Sequence, residues 1–192
     1  MIEVAPGVEG LIFDCDGTLV NSMPIHWECW HGTFEKFGAT CPQDFLERLK
    51  GVPTHGIIQQ FNEEFGYNFD VEEFTEEKER LAQEKLVNVE TIQPVVALVY
   101  KYHKKLPMAV ASGGPFATVK LSLDATDLSQ YFGAFVTADD PVDPKPAPGI
   151  FLEAARQIGV APEKCQVFED ADMGLEAGRA AGMVVTDIRP FV

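Results

Sequence analysis

An α/β fold is predicted for this chain: a parallel sheet flanked by helices and interrupted by one helical insertion. Three observations carry that expectation. Five short apolar runs are each bounded by Gly, Pro or acidic residues, as buried parallel strands tend to be. From residue 92 onward these runs alternate with helix-periodic segments, the pattern of a parallel sheet. Residues 22 to 91 break the alternation and hold no convincing strand.

The first run, Leu11–Phe13, predicts the first strand. After it come four segments that read as helices: "IHWECWHGTFEKFG", "CPQDFLERLKG", "THGIIQQFNEEFG" and "DVEEFTEEKERLAQEKL". The first three end at glycine, a common helix stop. The run of glutamates from 72 to 79 reads as a solvated helix face. The remaining strands are expected at Met108–Ala111, Ala134–Thr137, Gln166–Phe168 and Val184–Ile188. Between them, "APGIFLEAARQIGV" places Ile150, Ala154, Ala155 and Ile158 on one helical face. "DMGLEAGRAAGM" does the same with Leu175, Ala177, Ala180 and Ala181, with Asp172 as its N-cap. The expected organisation is a core of residues 1–21 and 92–192 with a helical cap domain of residues 22–91.

Composition narrows the function. A chain of 192 residues, 46% hydrophobic and 23% charged, can bury a substantial core. The opening "MIEVAPGVEG" lacks the basic and apolar regions of a signal peptide, and no apolar run reaches the length of about eighteen residues that spans a bilayer. A cytoplasmic protein is expected. A net charge of −15 repels nucleic acid and anionic membrane surfaces alike. An anionic small molecule could bind only where a metal ion or a buried lysine reverses the local field. Cys15, Cys29, Cys41 and Cys165 show no CxxC spacing and read as buried thiols of a reducing compartment. His26 and His31, five apart, lie on different faces of a helix and do not form a metal pair.

The chemistry gathers at strand ends. In "LIFDCDGTLVNS", Asp14 and Asp16 follow the first strand two positions apart, so they project to the same side while Cys15 points away. Solvated turn carboxylates would explain the pair in isolation. Other strand ends carry matching groups, however: Ser112-Gly113-Gly114, Lys145 in "DPKPAP", and Glu169-Asp170. Ligands of open α/β sheets bind beyond the carboxyl ends of the strands. That convergence favours a site over a turn.

The pattern "DCDGT … AS … K … EDADMG" resembles the haloacid dehalogenase superfamily of aspartate-dependent phosphohydrolases, with the four motifs in order along nearly the whole chain. "HWECW", "LKGVP", "KPAP" and "VFEDADMGLEAGRAAGM" are similar to its β-phosphoglucomutase-like branch, which also holds fructose-1-phosphate phosphatases. The resemblance implies a Rossmann-like core, an aspartyl-phosphate intermediate on Asp14, and Asp16 as general acid and base. Asp16 must then carry a proton in the first step, so its pKa is expected to be raised by neighbouring charge. Ser112, Gly113 and Gly114 would bind the phosphoryl oxygens, with Pro115 in the first turn of the next helix. Lys145 would neutralise phosphate and nucleophile. Glu169 and Asp170, with Asp14 and the backbone carbonyl of Asp16, would hold Mg2+. Thr18, His26, Lys50 and Thr54 fall among the substrate-side residues, Thr18 as a structural hydrogen-bonder.

Two departures stand out. Gly149 occupies a position where relatives often carry Asp, and Thr54 stands near where the mutases place a phosphate-gripping arginine. Residues 23 to 89 hold six Lys or Arg against thirteen Asp or Glu, a net of −7, which is poor ground for a second phosphate. The expected function is therefore a monomeric Mg2+-dependent phosphatase of small sugar phosphates. A β-phosphoglucomutase-type transferase and a catalytically silent ligand-binding relative are the alternatives.

Overall fold

A computed structural model describes residues 2–192. Five parallel strands form one sheet: β1 (Gly10–Phe13), β2 (Met108–Ala111), β3 (Ala134–Val136), β4 (Cys165–Glu169) and β5 (Val184–Asp187), in the spatial order β3-β2-β1-β4-β5. The α/β class expected from the sequence is the one observed. The strand ends move by one or two residues: β4 extends to Cys165 and Glu169, while β3 and β5 stop short of Thr137 and Ile188.

The central position of β1 follows from its composition. "GLIF" is buried on both faces, and no polar side chain in it needs water. Leu11 and Phe13 face one layer with helices α5 (Gln93–Tyr102) and α6 (Phe116–Ala125), where Phe13 stacks on Phe168 at 4.8 Å. Ile12 faces the other layer with α7 (Gly149–Ile158) and α8 (Asp172–Ala180). Period-two alternation thus feeds both layers from one four-residue strand. Pro115 stands just outside α6 as its N-cap residue, and α8 begins at Asp172 after Ala171, so Asp172 is the first helical residue and not the N-cap. Ala180 is exposed, contrary to the expected face; α8 meets the sheet through Gly174, Leu175, Ala177 and Gly178.

Between β1 and α5 the chain forms four helices, α1 (Met23–Lys36), α2 (Gln43–Arg48), α3 (Thr54–Phe65) and α4 (Val71–Leu86). They enclose an aromatic cluster of their own, with Phe34 against Phe61 at 4.4 Å and against Phe74 at 4.8 Å. Departure and return run side by side: the Asn21 amide donates to the Glu90 carbonyl at 2.8 Å, and the Ile92 amide to the Leu19 carbonyl at 2.9 Å. In α4, Ala82 and Leu86 pack into the core layer beneath, so the insertion is seated on the sheet domain. The acidic face of α4 is only partly solvated. Glu72, Glu73 and Glu76 are exposed, whereas Lys78 and Glu79 are buried.

The aromatic cluster gives the insertion its rigidity, and Phe61 is fully buried at its centre, touching five other rings. Phe61→Ala should cost about 3–5 kcal/mol of unfolding free energy, read from urea denaturation. A loss below about 1 kcal/mol would mean that the cluster closes over the void and does not hold the insertion together.

Candidate active site

The carboxyl ends of β1, β2 and β4 open into a cleft roofed by the insertion. It encloses about 730 Å3, its open mouth included. Asp14 extends from β1 and is buried, and its backbone amide donates to the Phe168 carbonyl of β4 at 3.0 Å. Lys145, 2% exposed, comes from the loop before α7 and lies over the Phe151 ring. Its Nζ donates to Asp14 Oδ1 and to Glu169 Oε2, both at 2.7 Å. Glu169 Oε1 accepts from the backbone amides of Asp170 at 3.0 Å and Ala171 at 2.9 Å. Glu169 therefore ties the turn after β4 to the lysine.

Asp14, Glu169 and Asp170 each present an oxygen within 4.8 Å of the others. The donor set is all carboxylate, with no thiolate or imidazole, which suits a hard divalent cation. Asp170 is held from two sides: Thr18 Oγ1 donates to its Oδ1 at 3.1 Å, and Lys50 Nζ donates to its Oδ2. Thr18 is thus a positioning group buried behind the carboxylates; it does not line the cleft. Gly17, at φ +88°, permits the turn that brings Thr18 round, and a β-carbon there would overlap the Asp170 carboxylate.

The Asp16 carboxylate turns away from this cluster. Its Oδ1 accepts from Ser22 Oγ at 2.6 Å and meets His26 Nε2 at 3.0 Å. Burial pushes the carboxyl pKa up, but His26, Ser22 and Lys78 outweigh it and hold the group well below the usual carboxylate range. The expectation of a raised pKa is therefore corrected. The motif placed an anion beside other anions, whereas the fold surrounds it with donors from α1 and α4. Lys78 Nζ stands 3.4 Å from His26 Nδ1, so a lysine N–H directed at Nδ1 leaves the Nε2 proton for Asp16.

Asp14 behaves in the opposite way. Burial, with Glu169 and Asp170 close by, pushes its carboxyl well above 3.8 despite the opposing pull of Lys145. For Lys145, burial disfavours the charge, yet Asp14 and Glu169 more than compensate and its pKa is raised.

Ser112 follows β2 and is buried; its Oγ accepts from the Gly114 amide at 3.1 Å, which leaves the hydroxyl proton free to donate. The Gly113 amide has no protein acceptor among the described residues. Gly113 also lies against the insertion, where a β-carbon would overlap the Gly51 carbonyl oxygen. Ser112, Gly113 and Gly114 line the cleft together with Asp14, Asp16, His26, Lys50 and Thr54. All the candidate residues named from the sequence, Thr18 and Lys145 excepted, line this one cleft, and those two reach its acidic cluster from behind.

Two charged lining residues, Lys78 and Glu79, are not among the candidates named from the sequence. Glu79 accepts from Thr54 Oγ1 at 2.7 Å, from Lys78 Nζ at 2.8 Å and from Thr118 Oγ1 of α6 at 2.9 Å. Lys78 also lies 5.3 Å from the Trp30 ring centre. The signal was present: Phe74, Lys78, Ala82 and Leu86 recur every four residues, so Lys78 stands on the apolar stripe of α4 with Glu79 beside it.

A model of the haloacid dehalogenase-like hydrolases matches residues 11–188. Fructose-1-phosphate phosphatase YqaB of Escherichia coli is 37% identical over 94% of this chain and 96% of its own length. A phosphorylated carbohydrates phosphatase of Thermotoga maritima is 31% identical over 92% of this chain and 82% of its own. Among solved structures, a β-phosphoglucomutase from Clostridium difficile superposes with a TM-score of 0.84 at 25% identity, covering 94% of this chain and 84% of that one. The chain belongs to the haloacid dehalogenase-like hydrolases, in the branch of sugar phosphatases and β-phosphoglucomutases, and is a phosphoric monoester hydrolase. No described helix is long and apolar enough to cross a membrane.

The crowded carboxylates carry a stability cost that a neutral isostere should relieve. A folded pKa above the unfolded one means that ionisation of Asp14 weakens the fold as pH climbs past 3.8. Asp14→Asn should therefore stabilise the metal-free protein at neutral pH. The gain should fade below about pH 4, where the wild-type carboxyl is protonated in both states. Denaturation curves at both pH values check this, and a destabilised variant at neutral pH would contradict it.

Proposed function

We propose that this hydrolase is a Mg2+-dependent phosphatase of small phosphorylated sugars that works through an aspartyl-phosphate on Asp14. The observation that carries the reading is the buried amine of Lys145, shared from behind between Asp14 and Glu169, which line a cleft that also holds Asp170. Kinship with fructose-1-phosphate and carbohydrate phosphatases supplies the substrate class.

Asp14, Asp170 and the backbone carbonyl of Asp16 would hold the cation, with Glu169 steadying Asp170 through the turn amides. Bound there, the ion supplies positive charge that lets a phosphate dianion approach the carboxylates. Asp14 attacks phosphorus, an Asp14–phosphorus bond forms as the ester P–O bond breaks, and the sugar leaves as alkoxide. Lys145 and the Ser112 hydroxyl donate to the phosphoryl oxygens as charge builds on them. Asp16 hands a proton to the leaving oxygen, then takes one from the water that hydrolyses the aspartyl-phosphate. In the resting arrangement Asp16 is ionised, so its carboxylate, still partly exposed, has to take up a proton from solvent before it can act as an acid. Incoming phosphate charge raises the proton affinity of Asp16 and favours that uptake.

Likeness to a β-phosphoglucomutase favours a second reading, transfer between sugar positions. Thr54 weighs against it: where a fixed cation would grip a second phosphate, a threonine donates to Glu79. Phosphate release should therefore be stoichiometric with a hexose monophosphate, vanish in excess chelator and return with Mg2+. Asp14→Asn should lower kcat by about a thousandfold or more without unfolding the chain. Activity in chelator, turnover by Asp14→Asn, or interconversion of sugar phosphates without free phosphate would each overturn the corresponding part.

A further inference from the structure

Glu79 has no part in the chemistry above, yet it is buried, ionised and faces the cleft. Its carboxylate gathers one donor from each of three helices: Thr54 of α3, Lys78 of α4 and Thr118 of α6. Burial pushes its pKa up, but Lys78 and Thr54 outweigh that and leave it lowered, so the anion persists. Lys78, 5% exposed, is the only Lys or Arg besides Lys50 among the residues lining the cleft, with His26 beside it. Lys50 is engaged by Asp170 on the opposite wall. The remaining lining of the roof is largely apolar, with Trp27, Trp30, Leu49 and Ile57.

Resting on the phosphatase reading above, we propose that Glu79 is a specificity-determining residue: by neutralising Lys78 it leaves the far end of the cleft without net positive charge. Substrates whose second end is neutral and hydroxylated fit such an end. A hydroxyl can replace Thr54 as donor to the carboxylate, and the tryptophan faces cover the carbon skeleton. Substrates with a second anion, a bisphosphate above all, meet a buried carboxylate and no free cation. Thr54 contributes as the neutral donor that completes the set.

The test compares kcat/KM for a hexose monophosphate and the matching hexose bisphosphate, expressed as the ratio bisphosphate to monophosphate. Glu79→Gln keeps shape and hydrogen-bonding atoms while freeing the charge of Lys78. The ratio should rise about tenfold or more, since one unit charge a few ångströms from a phosphate in a shielded cleft is worth that much. Adding Lys78→Met to Glu79→Gln restores neutrality and should return the ratio toward that of the wild type. A purely structural role for Glu79 would instead change both substrates alike. Thr54→Arg adds the charge without removing Glu79 and should shift the ratio in the same direction if Glu79→Gln folds poorly. The same ratio can be read as Kd by calorimetry on the Asp14→Asn background, where no turnover is needed. Absence of phosphate release from any sugar monophosphate would sink the phosphatase reading. An unchanged affinity ratio in both charge variants overturns the assignment of Glu79.

Discussion

Three carboxylates, Asp14, Glu169 and Asp170, meet at the ends of two adjacent strands with Asp16 turned aside next to them, and that concentration of negative charge is the constraint on which the structure turns. Taken out of water, such a set repels itself unless each member finds a cation or a donor. Lys145 serves Asp14 and Glu169, Lys50 serves Asp170, and His26 with Ser22 serves Asp16. Removing the shared cation of such a set costs about 3–5 kcal/mol, because the carboxylates are left unpaired, whereas neutralising one of the crowded carboxylates relieves repulsion. The same crowding acts on the proposed nucleophile: Asp14 is held in an environment that disfavours its charge.

The insertion completes the site as well as covering it. The loop after α2 brings Lys50 to Asp170 and presses Gly51 against Gly113, while α4 sends Glu79 to Thr118 on the other side of the cleft. These contacts fasten the four helices to the core at two separated points. Aromatic packing within the insertion keeps its wall rigid between them, so the cleft end opposite Asp14 is a defined surface and not a loose loop. Electrostatically the two ends differ: one gathers the carboxylates of Asp14, Glu169 and Asp170, and the other balances Lys78 against Glu79.

Most of the architecture was legible along the chain. Short apolar runs bounded by polar residues are local signals, and all five marked strands. The motif residues were legible because strand ends place side chains predictably: Asp14 and Asp16 share a side, Cys15 is in the core, and Ser112, Lys145 and Asp170 arrive from neighbouring strand ends. Helix faces were harder. Ala180 lies off the packed face of α8, Asp172 starts that helix instead of capping it, and the run 72–79 is divided between solvent and cleft. Each of these depends on how a helix is rotated against its neighbour, and composition alone does not set that angle.

By itself the sequence determined the α/β sheet, the helical insertion and the gathering of carboxylates, lysine and serine at the strand ends. Those follow from periodicity and turn chemistry within a few residues of each position. Only the tertiary structure decided the charge of Asp16, the turning of Thr18 toward Asp170, and the burial of Lys78 and Glu79 in the cleft wall. Lys78 and Glu79 reach partners from 25 to 52 residues away, and Thr18 reaches Asp170 across 152. Coulombic and hydrogen-bond energies depend on distance through space, and that distance does not exist until the insertion has folded back over the sheet.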